Sequence, residues 1–252
     1  PALGITIPVG KDSMSMRTTW RDKEVEKSVT APMSLVVSSF APVTDARLCV
    51  TPQLCAQEDA VLLLIDLGRG ANRLGGSALA QACGQYGSTV PDMDSADDLK
   101  AFFTLVQGAI ARGELLAYHD RSDGGLLTCV LEMAFAGHCG LHLDISGLPG
   151  DTPLAILFNE EAGAVLQMAS AHLESFRQTA GELGLGDSLH VLGRAVEGDQ
   201  VRVAQGDSVL LQDERSRLHQ VWARTSYEIQ SLRDHPDCAR EEFERIKEAD
   251  DG

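Results

Sequence analysis

Seven consecutive residues, His119 to Gly125, combine the side chains and backbone that magnesium-assisted nucleotide binding requires. Asp120 offers a carboxylate, the hard oxygen ligand that Mg²⁺ prefers, and Ser122 offers a hydroxyl. The paired glycines allow close approach of the backbone, and the helix predicted after them would present N–H groups to phosphate. Alternatively, Ser122 or Asp123 only caps that helix, and the glycines only make the turn. Spacing alone leaves both interpretations open.

A second glycine-rich turn, Gly70 to Ser77, lies between a predicted strand and a predicted helix. It matches neither a Walker A motif nor a GxGxxG fingerprint. Arg73 and Ser77 could hold a phosphate, but a structural turn is the favoured interpretation. Lys11, in the segment GKDSMSM, could place a point charge on a nucleotide phosphate or be a solvated loop lysine. The residues do not decide between these two roles.

Other polar clusters give weaker indications of chemistry. His138, Cys139 and His142 lack a second Cys/His pair that would complete a zinc site, so a structural metal there is disfavoured. The acidic pair Glu160 and Glu161 could hold a metal, but a solvated loop is favoured. None of the six cysteines has CxxC spacing, a pattern typical of free thiols in a reducing cytoplasm.

Hydrophobic periodicity predicts the elements that position these residues. The predicted strands are 60–66, 115–118, 140–145, 163–168 and the region 190–203, and the predicted helices are 78–83, 95–113, 126–135 and 171–183. Ser95 and Asp98 have the spacing of a capping box. Two further strands are predicted at 4–8 and 31–40, and a helical tail from about residue 216. This mixture favours an α/β or α+β fold.

The charge of the chain limits its partners. The net charge of −16 repels polyanions, so no nucleic-acid partner is expected. Residues 31–212 hold nine Lys/Arg against 22 Asp/Glu, so phosphate must be attracted locally, through magnesium at Asp120, N–H groups near Gly124 and Gly75, and Lys11. No apolar run approaches the roughly 18 residues of a membrane span, and no secretory leader is recognisable. We therefore expect a cytoplasmic protein whose sequence begins in mid-chain.

Three segments together, GKDSMSM, HDRSDGGL and LFNEEAGAV, resemble the phosphoribosylformylglycinamidine synthase family, and the resemblance extends over essentially the whole chain. It implies an aminoimidazole-ribonucleotide-synthetase-like C-terminal domain of α/β (α+β) class, with a mixed sheet and helices on one face. The implied divisions are 1–45, the end of the second A-type synthetase domain; 46–215, the second B-type domain; and 216–252, a helical linker toward a glutaminase domain.

The resemblance also implies an activity. The chain would be part of a glutamine-hydrolysing ligase of purine biosynthesis that converts formylglycinamide ribonucleotide, glutamine and ATP to formylglycinamidine ribonucleotide. Asp120 matches a magnesium ligand of the family and Ser122 a nucleotide-binding position, so the implied cofactors are Mg²⁺ and ATP or ADP. The other magnesium ligands would lie before Pro1 and the glutaminase residues after Gly252. The chain alone is therefore expected to be inactive, and the remaining synthetase and glutaminase domains are its expected partners.

The family contains one active site and one auxiliary nucleotide site, and our hypothesis assigns Asp120 and Ser122 to the auxiliary ADP–magnesium site. Two rival functions are a kinase-like or selenophosphate-synthetase-like member of the same superfamily and a non-catalytic scaffold. The helical tail and LFNEEAGAV argue against the first rival. Unpaired strand edges near the start of the chain also predict that two copies can dimerise.

Overall fold

The structure, a computed structural model, describes residues 2–11, 16–31 and 35–248. The chain divides into two compact units, Pro1–Ala46 and Arg47–Gly252. Among the described residues, no helix combines the length and the apolar character that crossing a membrane requires.

The first unit contains one antiparallel hairpin, formed by β1 (Arg17–Asp22) and β2 (Val25–Thr30). The strands predicted at 4–8 and 31–40 are wrong for the residues that the structure describes, which have no strand there. Alternation gives a strand only where a partner accepts its hydrogen bonds, and the hairpin supplies its own partner across a tight turn. Most of the predicted GKDSMSM loop, residues 12–15, lies outside the described residues, as do residues 32–34 of the second predicted strand.

The second unit contains a seven-stranded mixed sheet. Its order is β4-β6-β3-β7-β5-β8-β9, and only β5 and β8 pair in parallel among its described strands. The strands are β3 (Ala60–Asp66), β4 (Leu115–Asp120), β5 (Gly140–Asp144), β6 (Gly163–Ala169), β7 (Leu189–Val196), β8 (Gln200–Gln205) and β9 (Ser208–Glu214).

Seven α-helices occur in the described part of the chain: α1 (Ala78–Ala82), α2 (Ala96–Ala111), α3 (Gly125–Gly137), α4 (Pro153–Phe158), α5 (Ser170–Glu182), α6 (Arg215–Arg233) and α7 (Pro236–Arg245). Ser95 caps α2 by accepting the Asp98 N–H at 3.1 Å, as the capping box predicts. Helix α4 and strand β9 were not predicted, and neither were the two hairpin strands β1 and β2. The single region predicted at 190–203 is a pair of strands, β7 and β8.

The core lies on both faces of the sheet. Along β3, Leu62 and Leu64 pack into one apolar cluster, whereas Leu63 and Ile65 pack into the other. Helices α3 and α4 cover the first face and α2 and α5 the second. The mixed α/β class is confirmed. The prediction that helices cover only one face of the sheet is wrong, because β3 is apolar at successive positions and must be buried on both sides.

The helical tail is confirmed, and its first helix packs against α3. The His219 ring stacks on Phe135 with centroids 4.5 Å apart, and the Trp222 indole Nε1 donates to Glu132 Oε1 at 2.9 Å. Leu218 packs against the apolar cluster on the same face. The division of the chain at residue 215 stays a prediction.

Candidate functional site

Three polar segments meet where strands β4 and β3 end and β6 begins, because these strands are neighbours in the sheet. We call this place the Asp120 edge. Strand β6 lies between β4 and β3 and runs antiparallel to both. Asp120, at the end of β4, is opposite Ala164, and Asp66, at the end of β3, is opposite Gly163. The His119–Gly125 loop, the Gly70–Ser77 turn and the acidic pair just before β6 therefore lie side by side.

Asp120 is exposed at the end of β4. Its Oδ1 accepts a hydrogen bond from the Tyr118 hydroxyl, and its carbonyl oxygen accepts one from His119 Nδ1 at 2.7 Å. Burial raises the pKa of the Tyr118 hydroxyl, and the Asp120 carboxylate raises it further, so tyrosine remains the donor. The carboxylate of Asp120 is held in place yet accessible from solvent.

The loop after β4 makes its turn without help from the side chains of Ser122 and Asp123. The N-cap of α3 is Gly124, with φ 83°, and no side chain caps that position. The Ser122 carbonyl accepts the Gly125 N–H at 2.9 Å, and both Ser122 and Asp123 are exposed. The capping interpretation of these two residues is therefore wrong: glycine in the left-handed region makes the turn instead.

Arg121, between the two predicted site residues, points in the opposite direction and is buried. Its Nη2 donates to Asp66 Oδ1 at 2.6 Å, and its Nε donates to the Glu161 carbonyl at 2.6 Å. Asp66 also accepts the N–H of Gly70 at 2.7 Å. The sequence analysis does not predict this pair, although a single arginine in a polar loop is a signal for an acidic partner elsewhere in the chain. The pair anchors the loop that carries Asp120 and Ser122.

The acidic pair is not a solvated loop, and that prediction is wrong. Glu161 is fully buried and accepts hydrogen bonds from Arg73 N at 3.0 Å and Arg73 Nε at 2.7 Å. Glu160 Oε1 accepts the N–H groups of Ala78 and Gly124, each at 2.8 Å. Donors from distant segments supply these bonds, so the carboxylates join the two glycine-rich segments.

The residues of the Gly70–Ser77 turn have structural partners, as the favoured interpretation states. Arg73 also pairs with Asp94 at 3.0 Å, and its hydrogen bonds to Glu161 raise the pKa of its guanidinium. Ser77 is fully buried and caps α1 by accepting the Ala80 N–H at 3.2 Å. Lys11 lies in the other unit and is exposed.

Two of the backbone donors predicted for phosphate are already engaged. Gly75 N–H donates to the Thr89 carbonyl at 2.8 Å, and Gly124 N–H donates to Glu160. A phosphate could take the second donor only by displacing that carboxylate. Neither of these two N–H groups is therefore available to a phosphate without a rearrangement.

The described residues contain no group of three His, Cys, Asp or Glu side chains placed to hold a metal. A structural zinc at His138, Cys139 and His142 stays disfavoured as a prediction. Cys139 is buried, and burial raises the pKa of its thiol to about 11, which keeps it protonated. Beside the Ser122 loop, the exposed Asp120 carboxylate could supply one ligand to a metal ion.

Comparisons with known proteins agree with this architecture. Residues 57–205 match the family model described as AIR synthase related protein, C-terminal domain. Residues 1–42 match the model described as FGAR-AT PurM_N-like domain.

Solved structures of PurL from Thermotoga maritima share the fold. PurL complexed with ATP is 14% identical with a TM-score of 0.54, over 77% of this chain and 28% of that chain. PurL complexed with FGAR is 16% identical with a TM-score of 0.55, over 77% and 30%. The chain thus spans less than a third of these relatives. The resemblance to the phosphoribosylformylglycinamidine synthase family is confirmed, and the chain belongs to the AIR synthase related protein family, of which residues 57–205 form the C-terminal domain.

Proposed function

We propose that this chain is a segment of an ATP-dependent, glutamine-hydrolysing ligase that makes formylglycinamidine ribonucleotide. In that reaction the formamide oxygen of formylglycinamide ribonucleotide takes the γ-phosphoryl group of ATP, and ammonia from glutamine then displaces phosphate. The observation that carries the proposal is the consecutive match of two domains of this family. Relatives solved with ATP and with FGAR support the same substrates.

Within that enzyme, we assign Asp120 to magnesium and Ser122 to the nucleotide. Mg²⁺ typically uses one or two carboxylates plus phosphate and water oxygens, so the single exposed Asp120 suits a shared site. When bound, the ion would neutralise charge on the phosphate oxygens. The chain's own contribution is to hold the Asp120 carboxylate through Tyr118 and to expose the Ser122 hydroxyl beside it.

We further propose that this is the auxiliary ADP–magnesium site. In the full-length enzyme, Asp120→Asn should then keep turnover, because the nucleotide at an auxiliary site does not react. The Asp120→Asn variant should lose the stabilisation that a bound nucleotide confers, about 2.7 kcal/mol when the nucleotide is at 100 times its Kd. Steady-state kinetics and thermal melts of the variant measure both effects. Abolished turnover with folding and nucleotide content intact would show that the assignment is wrong.

The 252-residue chain alone should be inactive. Adding Mg²⁺ and ADP should shift its melting temperature little, since a ligand stabilises a protein only through the folded site that binds it and the other ligands lie elsewhere. Differential scanning fluorimetry with and without ADP makes the comparison. A shift of several degrees at micromolar ADP, or glutamine-dependent turnover by this chain, would contradict the split site.

The remaining synthetase and glutaminase domains are the proposed partners, in the cytoplasm. The first unit supports this, since its side chains Val36 and Phe40 are 88% and 97% exposed. Val36 lies between Leu35 and Val37, which are also exposed, and a contiguous exposed apolar surface marks a place that another protein segment covers. In the isolated chain, two copies could bury these side chains against each other, and light scattering would then give the mass of a dimer.

A further inference from the structure

We infer that His119, Glu132 and Trp222 form a positioning link between the Asp120 edge and the tail helix α6. The inference rests on the proposed function, because it concerns how occupancy at Asp120 is communicated. It goes beyond that function by assigning a role to three residues that contact neither nucleotide nor metal in the proposal. We call them the tail link.

The tail link is a continuous series of polar contacts. The His119 ring donates from Nδ1 to the Asp120 carbonyl at 2.7 Å, and its Nε2 lies 3.2 Å from Glu132 Oε2. The other oxygen of Glu132 accepts from Trp222 Nε1 at 2.9 Å. The side chains of His119 and Glu132 are only 23% and 27% exposed. The backbone that carries the proposed magnesium ligand is therefore joined to α6 through three side chains.

The surroundings favour transmission along this route. All three side chains line one surface cavity of about 360 Å³, together with Phe135 and His219, so they have room to change orientation together. The two hydrogen bonds, His119 to the Asp120 carbonyl and Trp222 to Glu132, constrain direction as well as distance, because hydrogen bonds weaken steeply when they bend. The Trp222 ring also lies 6.0 Å from Phe135, so losing its N–H need not undock the helix.

A bound nucleotide–magnesium complex fixes Asp120, and through the link it restricts α6. The coupling is reciprocal for binding free energies: whatever loosens α6 weakens nucleotide binding by the same factor. We expect a factor of about five, the low end of measured couplings between sites. Because α6 leads toward the proposed glutaminase domain, this would let that domain respond to occupancy at Asp120.

Hydrogen exchange of the full-length protein, with and without Mg²⁺ and ADP, tests the link. In the unmutated protein the nucleotide should slow exchange both in residues 119–125 and, about fivefold, in α6. Glu132→Leu and Trp222→Phe should abolish the effect in α6, keep it at 119–125, and weaken ADP binding about fivefold in calorimetry. Glu132→Gln, which still accepts from the indole, should restore the response.

Glu114→Leu is the matched control, since Glu114 also belongs to an ion pair, with Arg112 at 2.7 Å, but at the opposite end of β4. It should leave the α6 response unchanged. Protection at 119–125 without any in α6 would overturn the tail link and leave the proposed function standing. No protection at 119–125 would overturn both. An α6 response that survives Glu132→Leu and Trp222→Phe would show that packing alone carries it.

Discussion

Arg121→Met is expected to lower the free energy of unfolding by about 3–5 kcal/mol, the usual cost of leaving one partner of a buried ion pair alone. The Arg121 and Asp66 side chains are 1% and 5% exposed, and their closest atoms are 2.6 Å apart. Methionine preserves much of the volume of arginine but leaves the Asp66 carboxylate buried without its cation. The carbonyls of Glu161 and Ala162 also lose a donor.

Urea denaturation measures the effect, and two further variants interpret it. The double variant Asp66→Leu/Arg121→Met removes both charges and should recover a large part of the loss, since a buried pair replaced by apolar residues is often neutral. Arg112→Met breaks an ion pair that is more exposed and should cost about 0–1 kcal/mol. A loss at Arg121 as small as at Arg112 would show that this pair does not anchor the loop.

Gly125→Ala is expected to be the second severe change, at about 2–5 kcal/mol from backbone strain and steric overlap together. Gly125 has a φ of +70°, in the left-handed region. A Cβ there would lie 2.6 Å from the Asn159 carbonyl oxygen, 2.7 Å from the Phe158 carbonyl carbon and 2.8 Å from the Leu157 carbonyl oxygen. All three are backbone atoms of residues 157–159. This segment cannot move away from α3 without also moving the acidic pair that follows it.

Gly113→Ala separates the two causes. Gly113 has nearly the same φ, +68°, but an added Cβ would have nothing within 4 Å. It should therefore cost only the left-handed strain, about 1–2 kcal/mol. Chemical denaturation of both variants gives the steric contribution by difference. Equal losses would mean that the close approach at Gly125 is not restrictive.

The elements that could be predicted from sequence are those whose pattern is local. Strand β3 is a short apolar run closed by Asp66, and α2 combines helical periodicity with the Ser95 cap. The loop with Asp120 and Ser122 could be recognised in the same way, because a strand, a polar turn and a helix follow one another along the chain. Strand β9 has a weaker pattern, since it is an edge strand with only partial burial.

The interactions that hold the site together could not be predicted, because their partners are far apart in sequence. Arg121 is 55 residues from Asp66, and Arg73 is 88 residues from Glu161. Only the strand order β4-β6-β3 brings them together. Nothing near Glu161 in the sequence indicates which cation it meets, so the sequence favours a solvated loop for an adjacent acidic pair.

The same interactions leave little positive charge near Asp120 for a phosphate. The guanidinium groups of Arg73 and Arg121 are already paired with carboxylates, and Gly124 N–H donates to Glu160. Near Asp120 the proposed source of positive charge is therefore a magnesium ion. This makes Asp120 the residue on which the proposed function depends most.

The most direct test is to quantify the ADP and Mg²⁺ that copurify with the full-length protein and with its Asp120→Asn and Asp123→Asn variants. Both aspartates are exposed and lie three residues apart in one loop, so the second substitution is a matched control for charge. We expect the unmodified protein and Asp123→Asn to retain ADP and Mg²⁺, and Asp120→Asn to lose both while remaining folded. A folded Asp120→Asn protein that retained both would contradict the account.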